Sequence, residues 1–125
     1  MKVLLDTHIL VWWLCDAKEL VAEARVVIGA PTNVVFVSTV SVWELRIKEA
    51  LGKVRLPADF AEVLEAQPFE QLAMTMTHAH ALKKLPMHHR DPFDRMLITQ
   101  ARCDGLTLLT HDDVVGEYGV EHLLV

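Results

Sequence analysis

Cysteine is scarce in this chain, and what there is does not pair. Cys15 and Cys103 stand far apart, with no CxxC spacing. That argues against a disulfide framework and against a thiolate zinc site. The apolar, helix-like sequence around each predicts a buried free thiol in a reducing cytoplasm. No apolar run approaches the ~20 residues of a membrane span. A basic leader with a long apolar segment is missing from the N-terminus, so no signal peptide is expected. There is no Walker A loop, no GxGxxG and no HExxH, and no repeat, low-complexity segment or linker interrupts the 125 residues. Net positive charge is lacking as well: the balance is −5, which by itself speaks against a polyanion partner.

What is present is apolar and locally basic. Apolar residues make up 52% of the chain, enough to exclude disorder and to build one core. Of twelve Lys and Arg, four fall in "RIKEALGKVR" (46–55) and four in "KKLPMHHRDPFDR" (83–95). Such stretches can make a polyanion site on an acidic protein. A solvated helix face explains the first stretch equally well.

Short apolar runs predict strands over 2–5, 34–37, 70–74, 106–110 and 120–125. Helical spacing and punctuation predict helices over 9–15, 17–30 (stopped by Gly29 and Pro31), 38–53 (ended by Gly52), 57–67, 77–85 and 91–105. The last is the best marked, with Asp91 as N-cap, Pro92 in the first turn and Gly105 just past the end. Strands alternating with helices predict an α/β fold. The expected sheet is mostly parallel, with four to five short strands and helices on both faces.

In such sheets, ligands bind beyond the carboxyl ends of the strands. Asp6 follows the first strand, Glu44 lies early in the helix after the second, Asp94 opens the 91–105 helix, and Asp112 and Asp113 follow the "LLT" strand. Each has a plain structural reading. Asp6 fits an N-cap, Ser41-x-x-Glu44 and Thr110-x-x-Asp113 fit capping boxes, and Asp94 fits a helper three residues after Asp91. Together, capping must explain why an acid stands at each neighbouring end. Two carboxylates ~4 Å apart repel by roughly 4 kcal/mol at an effective dielectric near 20. A retained proton or a divalent cation must offset that. All-oxygen ligands select Mg²⁺ or Mn²⁺ with waters kept, and an open site of that kind supports phosphodiester hydrolysis.

Rival readings fail at particular residues. A haloacid-dehalogenase-type phosphatase needs Asp-x-Asp where this chain has Asp6-Thr7-His8, and the acid spacing of a phospho-receiver domain is missing. Seven histidines, among them His78, His80 and the His88–His89 pair, lack zinc-site spacing. His88 and His89 are expected in a loop, near substrate or solvated. "VWW" at 11–13 fits either a partner groove or core packing.

Four segments resemble a known family: "LLDTHILVWWL", "STVSVWELRIKEALGKVRL", "HHRDPFDRMLITQA" and "LLTHD", in that order along nearly the whole chain. They look like a PIN-domain ribonuclease, and most like the VapC toxins of type II toxin–antitoxin pairs. The resemblance implies a single three-layer PIN-like domain over 1–125 and a cytoplasmic endoribonuclease dependent on Mg²⁺, with Mn²⁺ as a substitute. Residue by residue it implies Asp6, Glu44, Asp94 and Asp112 as the catalytic and metal-binding acids. Asp113 stays open for the fourth place. It further implies RNA as substrate, often tRNA, a homodimer, and a VapB-like antitoxin that blocks the site. Thr7, Arg46, Lys83, Lys84, Arg90, Arg95 and Thr110 are the candidate substrate contacts. Two other classes stay in view, a PIN-like module that binds RNA or protein without cutting, and a small Mg²⁺-dependent phosphatase. The basic stretches flanking Glu44 and Asp94 favour a polymer over a small phosphoester.

Overall fold

The computed structural model describes residues 1–125. Strand β1 (Lys2–Leu5) lies at the centre of a five-stranded sheet whose order is β3-β2-β1-β4-β5 and whose pairs are all parallel. Its neighbours are β2 (Val34–Ser38) and β4 (Thr107–Thr110), and the edges are β3 (Glu70–Leu72) and β5 (His122–Leu124). Leu4 pairs with Phe36 on one side and Leu108 on the other. Val3, Leu4 and Leu5 are all fully buried, because both faces of the sheet are covered and neither side of β1 needs to be polar.

Alternation along β1 splits the core in two. Val3 and Leu5 pack with Ile9 and Leu10 of α1 (Thr7–Leu14), Ala24 and Ile28 of α2 (Ala22–Gly29) and Phe60 of α4 (Phe60–Glu65). Leu4 packs on the opposite face with Met96, Leu97, Ile98 and Ala101 of α6 (Pro92–Asp104). Helix α3 (Thr39–Ala50) sends Leu45 to the first core and Val40 to the second. Helix α5 (Met76–Ala81) packs on α6. No helix is long and apolar enough to cross a membrane.

The element boundaries differ from the sequence expectation in informative places. The helix expected over 17–30 forms only from Ala22. Asp16 adopts a left-handed φ of 49°, and the Arg25 guanidinium gathers the Ala17 and Leu20 carbonyls together with the Asp16 carboxylate, so this stretch turns. The 57–67 helix shrinks to Phe60–Glu65, and 77–85 divides into α5 and a 3₁₀ turn at Leu82–Lys84. A 3₁₀ helix at Asp113–Tyr118 was not expected. Both cysteines are exposed rather than buried: Cys15 caps the end of α1, and Cys103 lies beyond the buried 95–101 stretch of α6. Trp13 of the "VWW" segment packs on the first core, where its indole N–H donates to Gln67 Oε1 at 3.0 Å.

Candidate metal centre

The carboxyl ends of β1, β2 and β4 open onto one rim. Asp6 continues β1, its backbone N–H donating to the Leu109 carbonyl at 3.0 Å, and it caps α1. Its Oδ1 accepts from the Thr7 backbone N–H at 2.7 Å and its Oδ2 from the Thr110 hydroxyl at 2.6 Å. The capping reading is therefore correct for Asp6, but it occupies only one carboxylate oxygen. Burial raises the Asp6 pKa above the ordinary value of 3.8, and the charge of Glu44 adds to this; the bonds from Thr110 and Thr7 and the nearby His8 pull the other way.

Glu44 is buried in the second turn of α3. The capping box expected from Ser41 does not form, because the helix starts three residues earlier: Ser38 is the N-cap and accepts from Val40 N–H. Glu44 is instead held by side chains. The Thr7 hydroxyl donates to its Oε1 at 2.8 Å and lies 3.0 Å from Ser41 Oγ, while Lys48 Nζ donates to Oε2. That bond raises the Lys48 pKa, and Asp91 and Asp94 add to the effect.

Asp94 sits in the first turn of α6, but the cap is Asp91, whose Oδ1 accepts from both Phe93 and Asp94 N–H groups. The Asp94 carboxylate is half-buried and its pKa is pushed up to about 7. Burial is the largest cause, followed by the charges of Asp91, Asp6 and Glu44, with His89 opposing them. Asp112 caps the 3₁₀ helix after β4, its Oδ1 accepting from Val114 N–H at 3.0 Å. Thr110 is thus not the head of a capping box with Asp113. Its hydroxyl accepts from Asp112 N–H at 3.0 Å and donates to Asp6, tying the two acids to one side chain. Asp113 is exposed, whereas Asp112 lines a narrow pit with Asp6, Asp94, Leu97, Ile98, Leu108 and Val115. At its edge, single ligand atoms of Asp94, Asp112 and the neighbouring His89 lie within 4.8 Å of one another. Asp6 and Glu44 are outside that tightest group and couple to Asp94 by charge.

These donors fit a hard divalent cation. Carboxylates crowd a rim where burial and like charge raise the pKa values of Asp94 and Asp6, and Lys48, on Glu44, is the one ammonium bonded to the four acids. A wider groove lies elsewhere, between α3, α4 and β3 beside Trp43, Arg46 and Phe60, and none of the four acids lines it.

A family profile described as PIN domain matches residues 3–120. The chain belongs to the PIN domain family. Comparison with curated proteins returns no match. Among solved structures, the PIN domain resembles a chain of VapBC2 from Rickettsia felis bound to a promoter DNA fragment, at 14% identity and TM-score 0.76, covering 99% of this chain and 98% of that one. A chain of DNA-bound VapBC from Salmonella typhimurium gives 19% and 0.72, covering 98% and 97%. FitAcB from Neisseria gonorrhoeae gives 21% and 0.59, covering 97% and 96%. At such identities the likeness is one of fold. PIN domains are generally nucleases that use divalent metals.

The candidate substrate contacts divide on this PIN scaffold. Thr7 and Thr110 orient acids, as above. Arg95 is buried, its guanidinium donating to the Pro86 and Leu85 carbonyls, so it braces the loop before α6 and does not face solvent. Lys84, in the 3₁₀ turn, lies beside Thr99, Arg102 and Cys103 of the far half of α6, which are about 8–13 Å along the helix from Asp94. Arg46 pairs with Glu49 and lies over the Phe60 ring. Arg90 and Lys83 are exposed, Arg90 beside His89 in sequence. Sequence reasoning missed Lys48 as a neighbour of the acids, and placed His89 in a loop near substrate or solvated without pairing it to Asp112. Lys48 was legible as the fourth residue after Glu44 on one helix face. His89 lies against Asp112, and only its place just before "RDPFD" pointed to it.

Proposed function

We propose that this PIN domain, acting as one unit over residues 1–125, is a Mg²⁺- or Mn²⁺-dependent endoribonuclease and the toxin of a VapBC-type pair. The observation that supports this is the convergence of Asp6, Glu44, Asp94 and Asp112, from four distant segments, at one rim of a parallel sheet. VapBC complexes among the similar structures support the toxin assignment, with a homodimer and a small VapB-like antitoxin as partners.

Asp6, Glu44, Asp94 and Asp112 would hold the cation. The chemistry such a cation would supply there is Lewis-acid polarisation of a phosphodiester and a lowered pKa for bound water. The residues of the chain do the rest. Thr7 and Thr110 fix the rotamers of Glu44 and Asp6 by donating to them. Lys48 offsets one buried charge and holds Glu44 in place. Arg90 draws the phosphate backbone to a rim whose acids alone would repel it.

The test is incubation of purified protein with total RNA, with Mg²⁺, Mn²⁺ or EDTA. Discrete fragments are expected with either cation and none with EDTA or with a folded Asp94→Asn variant. Intact RNA in every arm would overturn the nuclease reading. Fragments that persist in EDTA would overturn its metal dependence.

A further inference from the structure

We propose that His89 and Tyr118 are positioning residues for the fourth carboxylate, presenting an imidazole N–H to Asp112 that fixes how it faces a cation. This rests on the reading of the acid cluster as a divalent-metal site.

Hydrogen-bond accounting at Tyr118 carries the inference. The phenol is buried, and its oxygen accepts two backbone N–H groups, from His88 at 3.1 Å and from His89 at 2.7 Å. Its acceptor capacity is then filled, and its single proton is left to donate. The remaining partner is His89 Nδ1 at 2.9 Å. Nδ1 is therefore an acceptor, and a neutral imidazole with an accepting Nδ1 carries its proton on Nε2. Nε2 faces Asp112 Oδ2 and donates to it. The opposite tautomer would put three N–H donors on one phenol oxygen and set a bare ring nitrogen against a carboxylate oxygen.

Packing locks the ring in this pose. The His89 and Tyr118 rings stack with centroids 5.4 Å apart at 12°, and the His88 ring meets the same phenol edge-on. The His89 side chain is 12% exposed. Asp112 is thereby gripped at both oxygens, Oδ1 by Val114 N–H and Oδ2 by His89. The assignment also excludes a tempting alternative. Nε2 lies close enough to Asp94 and Asp112 to look like a third metal ligand, but its lone pair is not free. His89 acts on the cation through Asp112. Partners of this kind to ligating groups are worth 10–100-fold in metal affinity.

The experiment is calorimetric titration of Mg²⁺ and Mn²⁺ into wild type, His89→Ala, His89→Gln and Tyr118→Phe, with Asp113→Asn as control and circular dichroism to check folding. A positioning role predicts that His89→Ala weakens both cations by a similar factor, about 10-fold or more. Gln, whose amide N–H can stand where Nε2–H stood, restores most of it. Tyr118→Phe weakens both cations in the same sense, and Asp113→Asn binds as wild type. Even if Tyr118→Phe unfolds, the Ala and Gln pair decides. A loss confined to Mn²⁺ that Gln does not restore would make His89 a ligand, since imidazole favours the softer ion, and would overturn the proposal. So would unchanged affinity in His89→Ala while wild type binds both cations. A wild type that binds neither cation overturns the metal reading itself, and this proposal with it.

Discussion

Asp94 is the residue at which burial and charge conflict most. Its folded pKa near 7 stands above the ordinary 3.8. Below about pH 4 both folded and unfolded chains hold the proton, and the site costs nothing. As pH rises from 4 to 7 the unfolded chain gives the proton up while the folded one retains it, so metal-free protein loses stability over that window. The raised pKa of Asp6 acts with the same sign. Asp94→Asn should therefore be more stable than metal-free wild type at pH 8, by about 1–2 kcal/mol after discounting for solvent at a half-buried group. The difference should vanish at pH 4, as checked by urea unfolding at both values. A variant equally stable at both would mean that the acids do not repel as the geometry implies. Asp112→Asn should abolish RNA cleavage and Asp113→Asn should leave it, as measured on the same RNA, because only Asp112 lines the pit. At this scale the sequence was partly legible. Acid positions at strand ends could be read from the chain. The choice between adjacent aspartates could not, because it depends on which one caps an unexpected 3₁₀ turn.

Elements deliver these residues, and α3 shows how. Ser38 ends β2, caps α3 through Val40 N–H, and donates its hydroxyl to Gln100 Oε1 of α6 at 2.6 Å. One side chain thus links the helices that carry Glu44 and Asp94. Ser38→Ala should cost about 1 kcal/mol for the cap and roughly 1–3 more for stranding the buried Gln100 carbonyl. Thermal unfolding would show this as a clear fall in Tm, and an unchanged Tm would remove Ser38 from this role. Helix α6 was legible throughout, because Asp91, Pro92 and Gly105 punctuate it and its apolar face repeats at helical spacing. The 17–30 stretch was misread because periodicity cannot see Arg25 reaching back to the Ala17 and Leu20 carbonyls, which hold that segment in a turn. Strand number and parallel direction followed from the alternation of elements. Strand order did not, since it depends on contacts between residues far apart in sequence.

For the whole molecule, net charge and local field point in opposite directions. A chain of −5 can act on RNA only if a rim of positive charge and a bound cation reverse the sign at the pit. Arg90, exposed and next to His89 in sequence, is the basic residue expected to contribute most. In a catalytically dead Asp94→Asn background, Arg90→Ala should lower RNA affinity and reduce the salt slope by roughly 0.7 for a single-stranded substrate. Lys84→Ala, in the 3₁₀ turn beside the far half of α6, should leave both unchanged. Equal effects from the two would place the RNA track along 83–90 and away from the rim. Calorimetric titration of Mn²⁺ into the protein near pH 7.5 tests most directly whether the clustered carboxylates are a divalent-cation site. Saturable binding is predicted in wild type, weakened in Asp6→Asn, Glu44→Gln and Asp94→Asn, with affinity falling about tenfold per pH unit below 7 as Asp94 keeps its proton. A wild type that takes up no Mn²⁺ or Mg²⁺ at millimolar concentration, with its fold intact, would contradict that reading.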